Sequence, residues 1–255
     1  MGRVGSPRNG TGAVLGSDLS FAARLRAIAS VAAMMSLAVI AAPAAAAGPD
    51  FGKSAGKFKL TYYWLVFEKD CPGRPSVPLY RNDGTRLAMV SEDFATKVNM
   101  EGTGVLRSGT IVNLASECKF AKHGWCFMEV DRRKAPFGYG SAAPLKPFRT
   151  LAAKDEGLPI GRMVYVKEFD GLVLPTAQGG FEYHDGCFVV QDTGWSLDKR
   201  HIDMFVLEEA HYKAIDEKLD GATKIEIFLD SPLCPDSAPL LFDPQQWMKQ
   251  LIQQE

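Results

Sequence analysis

Three aspartates, Asp185, Asp192 and Asp203, lie close together among apolar and turn-forming residues. Asp185 precedes and Asp192 follows the run Cys187-Phe-Val-Val190, while Asp203 sits between Ile202 and Met204. Bounded by Gly186 and by Thr193-Gly194, that run reads as a short buried strand. Alternation in a second strand sends Asp203 to the face opposite its apolar neighbours. A lone aspartate there would simply meet solvent. Three acids around two linked strands crowd like charges, and with partial burial this raises the pKa of one towards the range of a general acid. Carboxylates at strand ends beside glycine turns face clefts more often than cores.

The elements that must hold these acids are mostly short strands. Lys57 to Phe67 alternates and then turns apolar, which predicts a strand. Asn82-Asp83-Gly84 between 77–81 and 85–90 is a hairpin signal, and a second hairpin is expected over 105–114 around Ser108-Gly109. Ser91 caps a helix over 92–98 whose early acids suit the helix dipole. Residues 115–148 read as loop, 162–167 as a strand and Gln178-Gly179-Gly180 as a turn. Beyond Asp203, a helix is expected over 208–219, a strand over 223–229, and a helix over 243–253 begun by Asp243-Pro244. Many short strands with Gly/Pro turns and few helices point to a β-barrel.

The chain has 255 residues, of ordinary globular composition, with a net charge of −1. Arg24 and Arg26 precede an apolar run over 27–42, and Ala44 to Ala47 follow it. That order predicts a secretory signal peptide over 1–47; the run is marginal for a membrane span of about 20 residues, though an N-terminal anchor is the alternative. No cysteine follows the run at a lipobox position, so a soluble, exported, periplasmic chain is expected. Without residues 1–47 the net charge becomes −4. No basic stripe points to nucleic acid as a partner.

The five cysteines, in an oxidising compartment, favour disulfides. Cys118 with Cys126, across a glycine-containing loop, is the first expected pair. Cys71 with Cys234 is the second, which leaves Cys187 unpaired in its buried strand; other pairings stay open. The scattered histidines and the lack of C-x-x-C spacing argue against zinc, and no cofactor or metal is expected.

The stretch from Asp185 to Asp203 resembles the 3D domain, named for three aspartates, of the lytic transglycosylase A family, whose pattern is roughly D-G-x-F-x-x-x-D-T-G-G-A-I-K-G-x-x-I-D. Further likenesses are Thr61-Tyr62-Tyr63, Glu101-Gly102-Thr103-Gly104 in place of Gln-Gly-Ser-Gly, Pro136 to Gly140, and Leu158 to Gly161. The likeness covers about 58–207. The loop departs from the pattern: Gly194-Trp195-Ser196-Leu197-Asp198-Lys199 replaces Gly-Gly-Ala-Ile-Lys-Gly.

The resemblance implies a mainly β fold, a double-psi β-barrel over 48–207 with a small β-rich insertion at about 68–135. A C-terminal α/β, partly helical extension would occupy 208–255. It implies an enzyme, a lytic transglycosylase that cleaves the MurNAc–GlcNAc bond of peptidoglycan with formation of 1,6-anhydromuramoyl ends. Asp203 would be the acid/base, assisted by Asp192 and Asp185. Thr61 would partner Asp203, and Tyr62, Tyr139 and Trp195 would meet sugar faces, against the alternative that Tyr62 and Tyr139 fill the core. The implied partners are glycan strands and other cell-wall proteins, met by a monomer. Lys199 and His201 read as solvated. Two alternatives remain: a non-catalytic wall-binding protein that keeps the groove, and a hydrolase using water, with Glu101 and Asp155 as the acids to inspect.

Overall fold

The computed structural model describes residues 48–175 and 180–234. The expected leader (1–47), the turn residues Gln178 and Gly179 and the helix over 243–253 lie outside the described residues.

In chain order the strands are β1 (Lys53–Tyr63), β2 (Val66–Phe67), β3 (Val77–Tyr80) and β4 (Arg86–Val90), then β5 (Thr103–Val105), β6 (Ile111–Glu117) and β7 (Trp125–Val130). They continue with β8 (Thr150–Ala153), β9 (Met163–Pro175), β10 (Phe181–Asp192), β11 (His201–Phe205) and β12 (Lys224–Leu229). Two helices accompany them, α1 (Glu92–Glu101) and α2 (Glu209–Lys218).

Six strands close a barrel in the order β1-β11-β8-β10-β9-β12, so the expected barrel is present. Two of its pairings, β1 with β11 and β10 with β8, are parallel; the rest are antiparallel. Phe58, Leu60, Leu151, Val164, Val166, Phe188, Val190, Ile202 and Met204 fill its core. Sequence order concealed one member. β12 pairs with β1 and β9 and completes the cylinder, so the barrel runs past the expected end at residue 207. Its alternating apolar residues Ile225 and Ile227 are buried, which a strand in a peripheral extension would not require.

Between β1 and β8 the chain builds a second, smaller core from Val66, Val77, Leu79, Val90, Phe94, Val98, Val112 and Phe127. The sheet β2-β5-β6-β7 and the hairpin β3-β4 enclose it with α1. Ser91 caps α1, its side chain accepting from the Phe94 amide at 3.2 Å. The helix runs three residues past its expected end and stops at Gly102. The stretch expected to be loop contains β7, because its cysteine, aromatic and glycine residues mask an antiparallel pairing with β6.

The Cys118–Cys126 disulfide is present as expected, but the second bond joins Cys187 to Cys234. Cys71 is the free thiol, packed in the small core among Val77, Phe94 and Val98, and so has no access to Cys234. β12 runs antiparallel to β9 and ends at the Leu229–Val164 pair, while β9 pairs with β10 through Tyr165 and Cys187. The segment leaving β12 therefore starts two strands from Cys187 and reaches it within a few residues. No helix among the described residues is long and apolar enough to cross a membrane.

Candidate functional site

One cross-strand row carries the site. Thr61 on β1 is in register with Asp203 on β11, Asp203 with Ala152 on β8, and Ala152 with Asp192 on β10. Neighbouring strands lie ~4.8 Å apart, so the two aspartate backbones stand roughly 10 Å apart with only a methyl group between them. Asp203, Ala152 and Asp192 line a groove of about 470 Å³. Its other wall comes from the small core's elements, with Glu101, Thr103, Asn113, Trp125 and Met128. Tyr63, Tyr139 and Trp195 also line it, and Lys154 is its one basic residue among the described residues.

Asp203 is held by the Thr61 hydroxyl, which donates to its Oδ1 at 2.8 Å. Burial pushes its pKa up to about 6; the Thr61 hydrogen bond and Lys59 oppose this, while the charge of Asp192 adds to it. Thr61 does not line the groove, and its oxygen also lies 2.8 Å from His201 Nε2. A neutral His201 with its proton on Nε2 donates to Thr61 and leaves the hydroxyl proton for Asp203. His201 was expected to be solvated. It is instead half-buried, and burial together with Lys59 holds its pKa below the usual histidine range.

Asp192 accepts from the Ser141 amide at 2.8 Å, the Thr193 amide at 2.8 Å and the Tyr63 hydroxyl at 3.0 Å. Burial raises its pKa in spite of these bonds. Its contact with Ser141 depends on Gly140: a Cβ there would come within 2.8 Å of the Gln191 carbonyl and 2.9 Å of Asp192 Cβ. Gly138 makes a similar approach with φ +87°, where a Cβ would meet Asn113 Oδ1 at 2.6 Å. Asn113 donates to Thr103 at 2.9 Å and to the Tyr139 carbonyl at 2.8 Å, and accepts from the Tyr139 amide at 2.9 Å. This clamp ties the turn that carries Tyr139 to the wall opposite the barrel.

Asp185 does not line the groove. It sits at an irregularity in β10 and is paired with the fully buried guanidinium of Arg149, which also donates to the Cys187 carbonyl at 2.7 Å. Burial alone would raise its carboxyl, but the bonds from Arg149 and the Cys187 amide outweigh burial and hold it below the ordinary range. The expected crowding of three acids therefore reduces to two on the barrel. Tyr62 also lies away from the groove, its ring packed on Tyr212 of α2 at 5.5 Å. Strand alternation explains this: if Thr61 faces the groove side, Tyr63 shares that side and Tyr62 does not. Tyr139 and Trp195 are in the groove, and Trp195 is 68% exposed at its mouth.

Asp155 caps a turn by accepting from the Ile160 amide at 3.2 Å and is absent from the groove. Glu101 lines it and accepts from the Trp64 amide at 3.2 Å. Burial pushes its pKa up to about 7, with Trp64 opposing and the Asp203 charge adding. No cluster of His, Cys, Asp and Glu suited to a metal occurs among the described residues. The groove offers buried acids able to hold or give up a proton near neutral pH, beside the rings of Tyr63, Tyr139 and Trp195.

No protein-family model matches the chain, and no curated protein matches it. Among solved structures, Escherichia coli MltA with bound chitohexaose is similar over 68% of this chain and 71% of its own, at 13% identity and a TM-score of 0.47. A membrane-bound lytic murein transglycosylase from Agrobacterium tumefaciens matches over 69% and 73%, at 12% identity and a TM-score of 0.41. The lytic transglycosylase LtgG of Burkholderia pseudomallei matches over 69% and 73%, at 14% identity and a TM-score of 0.36.

Proposed function

We propose that this chain cleaves glycan strands of peptidoglycan as a lytic transglycosylase, with Asp203 as its acid and base. The observation that carries this reading is the Asp203 carboxyl, kept protonated up to about pH 6 by burial and held by Thr61 in an aromatic-lined groove. Asp203 protonates the glycosidic oxygen, and the C1–O bond of the muramoyl residue breaks. The carboxylate then takes the proton of that residue's own 6-hydroxyl, whose oxygen bonds to C1. A 1,6-anhydro ring forms, no water is consumed, and Asp203 regains its proton. Asp192, fixed by three hydrogen bonds, stabilises the oxocarbenium charge. Asp185 supports the strand through Arg149 and takes no part in the chemistry. Tyr139 and Trp195 pack on sugar faces.

Export to the cell envelope belongs to the same reading. It is supported by the leader pattern of residues 1–47 and by two disulfides. The wall-binding alternative draws on Trp195, a bulky exposed ring where the family pattern has glycine. Digestion of purified sacculi by the wild-type chain and by Asp203→Ala separates the two. Anhydromuropeptides from the wild type and none from the variant are expected. Retention of both proteins on sacculi without any product would leave a binding protein.

A further inference from the structure

The groove holds a second buried carboxyl that single-aspartate chemistry does not use. Glu101 closes α1 on the wall formed by the smaller core, while Asp203 belongs to the barrel. Both are nevertheless held from β1 and the residue that follows it: Thr61 on the strand holds Asp203, and the amide of Trp64, just past the strand, holds Glu101 at 3.2 Å. Three steps along the chain separate those anchors, a span of at most about 11 Å. Paired carboxyls at ~6.5–9.5 Å leave room for a water molecule between acid, base and anomeric carbon. Among the described residues, Glu101 is engaged by no basic side chain and no arginine lines the groove. The Asp185–Arg149 pairing, by contrast, ties up the third aspartate of the motif.

We propose that Glu101 gives this groove a hydrolytic branch, in which it serves as the general base that activates water against the same glycosidic bond that Asp203 protonates. This rests on the reading of Asp203 given above and extends it to a second product. Asp203 gives its proton to the leaving oxygen and the C1–O bond breaks. Glu101 takes one proton from water, the water oxygen bonds to C1, and a reducing end is released. Asp203 is left ionised and Glu101 protonated, and exchange of one proton with solvent restores both. Burial raises both carboxyls, to about 6 at Asp203 and about 7 at Glu101, and the branch uses the form that is protonated at Asp203 and ionised at Glu101. Hydrolysis runs beside anhydro-ring formation, which needs Asp203 alone.

The test is digestion of sacculi by the full chain in ¹⁸O-water, with muropeptides separated by mass. Reducing ends carrying the heavy oxygen are expected beside anhydro ends. Glu101→Gln is expected to lower the ratio of heavy reducing ends to anhydro ends by about a hundredfold. In Glu101→Ala, added azide, a nucleophile that needs no base, is expected to recover the lost branch as glycosyl azide ends, which a merely structural role of Glu101 would not produce. Anhydro ends alone from the wild type would overturn the hydrolytic branch and leave the transglycosylase reading intact. Reducing ends undiminished in Glu101→Gln would overturn Glu101 as the base. Reducing ends alone, lost in that variant, would sustain the branch and remove ring formation. No cleavage by the wild type would remove both.

Discussion

A carboxyl that donates a proton near neutral pH must be kept from ionising early, and at Asp203 burial does this against the pull of the Thr61 hydroxyl. Asp203→Asn keeps the shape and removes the proton, so cleavage of sacculi is expected to fall by about 10²–10⁴-fold. Thr61→Val removes the bond that favours the ionised form. The alkaline limb of the pH–rate profile is then expected to move upward from about pH 6, with the rate reduced by about tenfold. An unmoved limb would mean that the hydroxyl does not tune the acid. Thr61 was legible as a partner once Asp203 was singled out. Tyr63 was missed in favour of Tyr62, although alternation from Thr61 selects it. His201 left no such signal: its bond to Thr61 exists only because β1 and β11 lie side by side in parallel.

At the scale of elements, the row through β1, β11, β8 and β10 fixes the spacing of the groove, and Ala152 is its gap. Ala152→Leu would push a branched side chain between Asp203 and Asp192. Glycan cleavage is expected to be abolished, at a stability cost of about 1–3 kcal/mol measured by urea unfolding. β8 could not be located from sequence, because four small or aliphatic residues carry no periodicity of their own. The motif's apolar run, in contrast, was recognisable as a strand, although β10 extends well before it as a long hairpin with β9. The disulfides show the same divide. Cys118 and Cys126 are joined across a short local loop, whereas the partner of Cys187 depended on where β12 leaves the sheet. In the chain-entropy account, the 47-residue separation of Cys187 and Cys234 makes their bond contribute about 4 kcal/mol. Cys234→Ala is expected to lower the urea midpoint accordingly, and a change under about 1 kcal/mol would contradict that account.

For the whole molecule, the buried acids set how stability follows pH. Asp203 and Glu101 titrate in the folded chain at about 6 and about 7, above their unfolded values near 4. Between those limits the native state binds more protons than the unfolded chain, so stability falls as pH rises through the window and levels off above it. Unfolding in urea at pH 5 and pH 8 is expected to show this loss. Asp203→Asn should recover on the order of 2 kcal/mol at pH 8 while losing activity, the trade of stability for function expected at a working site. Equal midpoints for the variant and the wild type at pH 8 would contradict the burial argument.

β1, which anchors both Thr61 and the approach to Glu101, finds its two barrel neighbours only in β11 and β12, near the far end of the described chain. During synthesis the first strand of the cylinder therefore waits, unpaired on both edges, until residues 201–229 exist. Closing such distant contacts is slow, because loop entropy is lost before any pairing repays it. The topology thus makes closure of the cylinder a late event, whereas the smaller core between β1 and β8 is built from elements close in sequence. A chain ending before residue 224 would leave β1 and β9 as open edges, and association through those edges is the expected fate.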